Sequence, residues 1–106
     1  MPKKKPPTKA EREHMGRIKM MPCIVCCHAE PSDCHHITRN GRRLGHFFTL
    51  PLCKEHHDLL TTLGIPVWER KFGSQMHLLG LVCRILGIGM PALPGKTPFS
   101  QLPCFD

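Results

Sequence analysis

Two short knuckles carry the first legible chemistry in this chain, Cys23-x2-Cys26 and Cys53-x2-His56. A structural zinc takes four sulfur or nitrogen donors in a tetrahedron, and the two knuckles together supply four. Cys53 and His56 are three residues apart, which puts them on one face of a helix. The register is open to two exchanges, Cys27 for Cys26 or Cys34 for His56. Such a site contributes on the order of 10 kcal/mol to folding.

With those four assigned, His35, His36, His46 and His57 remain. His57 follows a metal ligand and is turned about 100° round the helix from it, so it points beside that ion and not at it. If residues 35 and 36 lie on a strand, their side chains leave opposite faces and do not chelate one ion together. Separate roles follow naturally: His35 with His57 can hold a second divalent ion, with positions left for water and phosphate, and His36 stays unligated as a base. Asp33 lies on the strand side of His35, either as a hydrogen-bond partner for it or, more simply, as a solvated loop carboxylate. Against all this stands a blander reading, a hairpin with surface histidines or two purely structural zincs. His14, His28 and His77 read as surface or core residues, Cys83 as a buried apolar residue, and Cys104 as part of the tail.

The elements that must position these groups are short. Thr8-Lys9-Ala10-Glu11 has the capping-box form, so a helix starts there, with Ala10, His14, Ile18 and Met21 on one face and Pro22 ending it. Ile37 and Phe47-Phe48-Thr49-Leu50 read as two strands, joined by a connection from Thr38 to Gly45 that contains Asn40-Gly41. Cys53 to Leu63 reads as a helix stopped near Gly64. Pro66 to Phe72 makes another, ending at Gly73, with Trp68 and Phe72 as core anchors. Ser74 caps a last helix from Gln75 to Leu86, whose apolar face is Leu78, Leu79, Val82, Ile85 and Leu86.

The expected organisation is one α+β domain over residues 8–87, between a basic arm at 1–7 and a Pro-rich flexible tail at 88–106, both termini being disordered. Within 106 residues so small a core needs a staple. An odd count of seven cysteines, with no apolar segment after the basic start, favours a reduced cytoplasmic setting and metal ligation over disulfides. No apolar run reaches the length of a membrane span. The net charge of +7, concentrated at Lys3–Lys5, Lys9–Lys19 and Arg39–Arg43, favours a polyanionic partner, most simply DNA. Arg39, Arg42 and Arg43 are suited to phosphate contacts, and no base-reading helix is evident.

Taken together, Cys23-x2-Cys26, His35-His36 and Leu52-Cys53-x2-His56-His57 resemble the HNH endonuclease superfamily in its zinc-stapled, treble-clef (ββα-metal) form. The longer pattern HHIT…GRRLGHFFTLPLCKEHH…WERKFGSQ is similar to phage nucleases of the recombination-enhancement (Ref) type, which depend on RecA. The resemblance implies a small treble clef with extra packing helices and a structural Zn²⁺ on Cys23, Cys26, Cys53 and His56. It further implies a catalytic Mg²⁺ or similar ion on His35 and His57, and His36 as the general base that activates water. The products would be a 5′-phosphate and a 3′-hydroxyl, and the setting the cytoplasm or nucleoid of a bacterial host. His46 and Phe48 occupy the region of the superfamily's middle asparagine, so His46 either orients the base or serves as a third ligand of the catalytic ion. A RecA-type filament is the implied partner besides DNA. The alternative is a zinc-stabilised module that binds DNA or a recombinase without cutting.

Overall fold

The capping box at the start of the chain forms as its residues dictate. Thr8 Oγ1 accepts from the Glu11 amide at 3.1 Å, and Glu11 Oε1 accepts from the Thr8 amide at 2.7 Å. They open helix α1 (Lys9–Lys19), which presents His14 and Ile18 to the interior, followed by Met21. Ala10, placed on the same face by periodicity, is exposed, because the first turn of α1 projects past the core. The computed structural model describes residues 6–27 and 31–92. Lys3–Lys5, His28, Cys104 and most of the Pro-rich tail therefore lie outside the described residues. Ile88, the first residue assigned to that tail, donates its amide to the Cys83 carbonyl at 2.9 Å.

Among the described residues the architecture is α+β, with four helices and short strands. Strand β1 (Asp33–His36) pairs antiparallel with β4 (Thr49–Leu52), in the register Asp33 to Leu52, Cys34 to Pro51, His35 to Leu50 and His36 to Thr49. Between them, β2 (Thr38–Arg39) and β3 (Arg42–Arg43) form a second, two-residue ribbon. This corrects the expected strands at Ile37 and Phe47–Leu50. Asn40 and Gly41 both take positive φ, 54° and 76°, so they close a tight hairpin turn that zips the flanking arginines into strands. Ile37 joins the two ribbons by accepting from the Leu44 amide and donating to the Phe48 carbonyl. Phe47 and Phe48 lie in the turn before β4, where the Phe48 amide donates to the Gly45 carbonyl.

Side chains alternate along a strand. Asp33, His35, Leu50 and Leu52 therefore share one face of the β1–β4 ribbon, and Cys34, His36, Thr49 and Pro51 the other. All four residues of β4 are buried, so both faces are covered. Helix α2 (Lys54–Leu63) follows β4, with Cys53 as its N-cap. Gly64, at φ 83°, separates it from α3 (Ile65–Phe72), and Gly73 separates α3 from α4 (Gln75–Leu86). Ser74 caps α4 as expected, its Oγ accepting from the His77 amide at 3.0 Å. The core gathers Ile18, Leu50, Leu52, Trp68, Leu79 and Val82, all fully buried. Cys83 is buried with them, whereas Ile85, placed on the packing face from sequence, is 66% exposed. The helix rotates its inner stripe toward Gln75, Leu79 and Cys83, leaving Ile85 on the outside. Trp68 anchors the core, with Phe72 half-buried against it at a ring separation of 5.1 Å. Among the described residues no helix is long and apolar enough to cross a membrane.

Candidate metal centre and histidine site

The two knuckles meet. Sγ of Cys23, Cys26 and Cys53 and a ring nitrogen of His56 all lie within 4.8 Å of one another. Cys53 approaches because it caps α2, its sulfur accepting from the His56 amide at 3.5 Å. The other knuckle is brought in when the Ile24 amide donates to the Pro51 carbonyl at 2.9 Å, docking the first turn along β4. A zinc–sulfur length near 2.3 Å implies sulfur–sulfur edges of roughly 3.8 Å and sulfur–nitrogen edges of roughly 3.6 Å in a tetrahedron. Cys26 Sγ lies 3.9 Å from Cys53 Sγ. His56 Nδ1 lies 3.9 Å from Cys23 Sγ and 3.1 Å from Cys53 Sγ. The donor set and spacing thus suit a metal ion such as zinc.

Burial opposes ionisation of Cys23, but backbone amides of Cys53, Cys26 and Val25 outweigh it and hold the thiol below its ordinary range, toward the thiolate a metal requires. The His56 carbonyl accepts from Trp68 Nε1 at 3.0 Å, and its ring packs edge-on to Phe72, so the core itself holds this ligand. The register is also decided. Cys27, at φ 59°, and Cys34, half-buried in β1 opposite Pro51, stay outside the cluster. None of the six described cysteines forms a disulfide.

The four remaining histidines separate into two pairs, as strand alternation requires for His35 and His36. On the α2 side, the rings of His35 and His57 are 5.0 Å apart, edge to face. His57 Nδ1 lies 3.0 Å from Asp33 Oδ2, so Asp33 serves His57 and neither His35 nor solvent alone. His35 Nε2 instead meets Gln75 Oε1 at 2.7 Å. Burial lowers the pKa of His35, the Gln75 contact opposes the shift, and the neighbouring His57 adds to it.

On the other side, His36 Nε2 lies 3.0 Å from His46 Nδ1, with the rings 5.2 Å apart. Of the two roles open to His46, the structure brings it to the base candidate. The Cys23–Cys26–Cys53–His56 set is the one group of three or more potential metal donors found among the described residues, and it includes none of His35, His46 and His57. Burial, reinforced by Arg43, His46 and His35, pushes His36 down to about 4, against a hydrogen bond from its ring to the Cys34 carbonyl. His36 is therefore a neutral imidazole at pH 7.

The three arginines also divide. Ile37 and Leu44 turn toward the core, so alternation puts Arg43, the partner of Thr38, on the side that His36 shares. Arg39 and Arg42 pair with each other, exposed at the ribbon's tip. His14 proves to be a core residue, 3% exposed, packed at a tilt against Phe47 with no hydrogen-bond partner for Nε2. Sequence reasoning missed Gln75 and the pairing of Asp33 with His57. Both join residues far apart in the chain, and no local signal announces them.

These features define an α+β protein with a Cys3His cluster that could hold a metal ion, set beside a histidine-lined hairpin. Residues 1–89 match the family described as a protein of unknown function, DUF968, and the chain belongs to it. The chain is also 36% identical over 81 residues to the uncharacterized protein YdfU of Escherichia coli K12. That match covers 71% of this chain and 23% of YdfU, so the chain spans less than a quarter of that relative's length.

Proposed function

We propose that this protein is a metal-dependent DNA endonuclease of the HNH type, built on a zinc-stapled treble clef. The observation that carries the reading is the surroundings of His36. A half-buried imidazole, held neutral, sits beside an arginine on a hairpin whose tip carries two more arginines and whose opposite face carries a second histidine pair. The Cys3His cluster, occupied by zinc, would pin the base of that hairpin to α2, keeping His57 against His35.

His36 takes a proton from the attacking water through Nε2, the ring nitrogen it turns toward His46. Oxygen attacks phosphorus, the bond to the 3′ oxygen breaks, and that oxygen takes a proton from solvent, leaving a 5′-phosphate and a 3′-hydroxyl. His46 Nδ1 lies 3.0 Å from that nitrogen in this structure, so water reaches it only where His46 yields the position. A bound phosphate would draw the pKa of His36 up from about 4, closer to the value at which a base works best. Arg43 offers its guanidinium to the phosphate nearest the base, and Arg39 and Arg42 hold the flanking backbone. His35 and His57 would hold Mg²⁺ or a similar ion, which offsets charge on the phosphate and the leaving oxygen.

The test is nicking of supercoiled plasmid with Mg²⁺ or Mn²⁺, comparing the wild-type chain with His36→Ala at matched zinc content. Loss of ~10²–10⁴ in rate is expected. Equal nicking by both proteins, or none by either even with RecA filaments added, rejects the nuclease reading. DNA binding without cutting would then leave the non-catalytic module.

A further inference from the structure

Two acceptors outside every expected ligand set each occupy one nitrogen of the His35–His57 pair. The first is the carboxylate of Asp33, which only accepts at neutral pH; with Oδ2 3.0 Å from His57 Nδ1, that nitrogen carries the proton. A neutral imidazole has one donor and one acceptor nitrogen, so the lone pair of His57 is on Nε2. The second is the amide oxygen of Gln75, 2.7 Å from His35 Nε2. It fixes the opposite tautomer, with the lone pair of His35 on Nδ1.

Gln75 is held for this task. The residue is 3% exposed, and its backbone N–H donates to Glu69 Oε2 at 2.7 Å, tying the first residue of α4 to α3. By contrast, the His57–Asp33 pair is well exposed, at 36% and 51%, where such a pair adds little to stability. Histidines that ligate metals regularly give their other N–H to a carboxylate or carbonyl, which fixes the ring and raises its basicity.

We infer that Asp33 and Gln75 are positioning residues that orient His57 and His35 to offer Nε2 and Nδ1 to one divalent ion. This rests on the reading of His35 and His57 as an ion-binding pair. Neither acceptor touches the ion; each acts through the ring it holds.

Two measurements on the zinc-loaded full chain test the inference. In the first, Ni²⁺ is titrated calorimetrically into the wild type and its variants, since imidazole suits that ion. One Ni²⁺ beyond the zinc is expected for the wild type, none for the His35→Ala/His57→Ala double variant, and binding about 10–100-fold weaker for Asp33→Ala and for Gln75→Leu. Asp33→Asn and Gln75→Glu keep an acceptor and should restore most of the affinity. If the wild type binds no Ni²⁺, the ion-binding reading and this inference fall together. Wild-type affinity in Asp33→Ala and Gln75→Leu, with the double variant inactive in binding, overturns the inference alone. The second measurement, long-range proton–nitrogen NMR of the imidazoles at pH 8, needs neither metal nor mutation. It should find the proton of His57 on Nδ1 and that of His35 on Nε2, and either opposite tautomer overturns the assignment.

Discussion

The Cys3His cluster and the histidine site share one hairpin, yet they are built on different principles. In the cluster, four candidate donors lie within 4.8 Å of one another, placed by a knuckle turn and the N-cap of α2, with Trp68 and Phe72 bracing His56. In the histidine site, neighbours in sequence diverge, and each ring finds its partner across the fold. His35 meets Gln75 and His57, whereas His36 meets His46. Convergence suits an ion that must be enclosed. Divergence suits groups with separate tasks, as the proposed nuclease would require of its base and its ion-binding pair.

The largest expected effect lies in the cluster. Cys53→Ala, or stripping the metal with a strong chelator, removes stabilisation on the order of 10 kcal/mol and should abolish the cooperative melting transition seen by circular dichroism. A chain that melts unchanged after chelation would make the cluster dispensable, and the contrast would collapse. His36→Ala should leave the melting temperature and zinc content near wild type while nicking falls by ~10²–10⁴. His46→Ala should cost less, since it removes a partner of the base and not the base.

Trp68→Ala links the two regions, because the indole fills the core and holds the His56 carbonyl. A loss of about 3–5 kcal/mol in urea unfolding is expected, with weaker zinc retention. Acid comes next. His14, His35 and His36 all have lowered pKa values, each mainly through burial. Their folded values lie below the unfolded value near 6.5, so the unfolded chain binds the extra protons and stability rises with pH across that window. For His36 the window runs from about 4 to 6.5. Urea midpoints should therefore climb from pH 4 to 6.5 and level off above; a midpoint flat through that range would show these rings to be solvated. The smallest effect belongs to the ribbon tip. Removing Arg39 and Arg42 together should weaken DNA binding and make the salt slope shallower by about 0.9 for each duplex phosphate that is no longer neutralised.

The cluster was legible from sequence because it is local. Cys-x2-Cys and Cys-x2-His specify two half-sites by chain geometry, and capping signals at Thr8 and Ser74 likewise placed α1 and α4. Alternation alone predicted that His35 and His36 part company. The hairpin was misjudged because Asn40-Gly41 encodes a two-residue turn, and the apolar pair Phe47-Phe48 masked the later start of β4.

Residue type and spacing therefore determined the two knuckles, the helices of the described residues and the separation of neighbouring histidines, since each depends on dihedral preferences within a few residues. Tertiary structure alone decided which of Cys26, Cys27 and Cys34 enters the cluster, that Asp33 serves His57, that Gln75 serves His35 and that His46 faces His36. Those choices depend on how helices dock against the ribbon, and docking is set by burial of Leu50, Leu52, Trp68 and Leu79, residues brought together from separate elements.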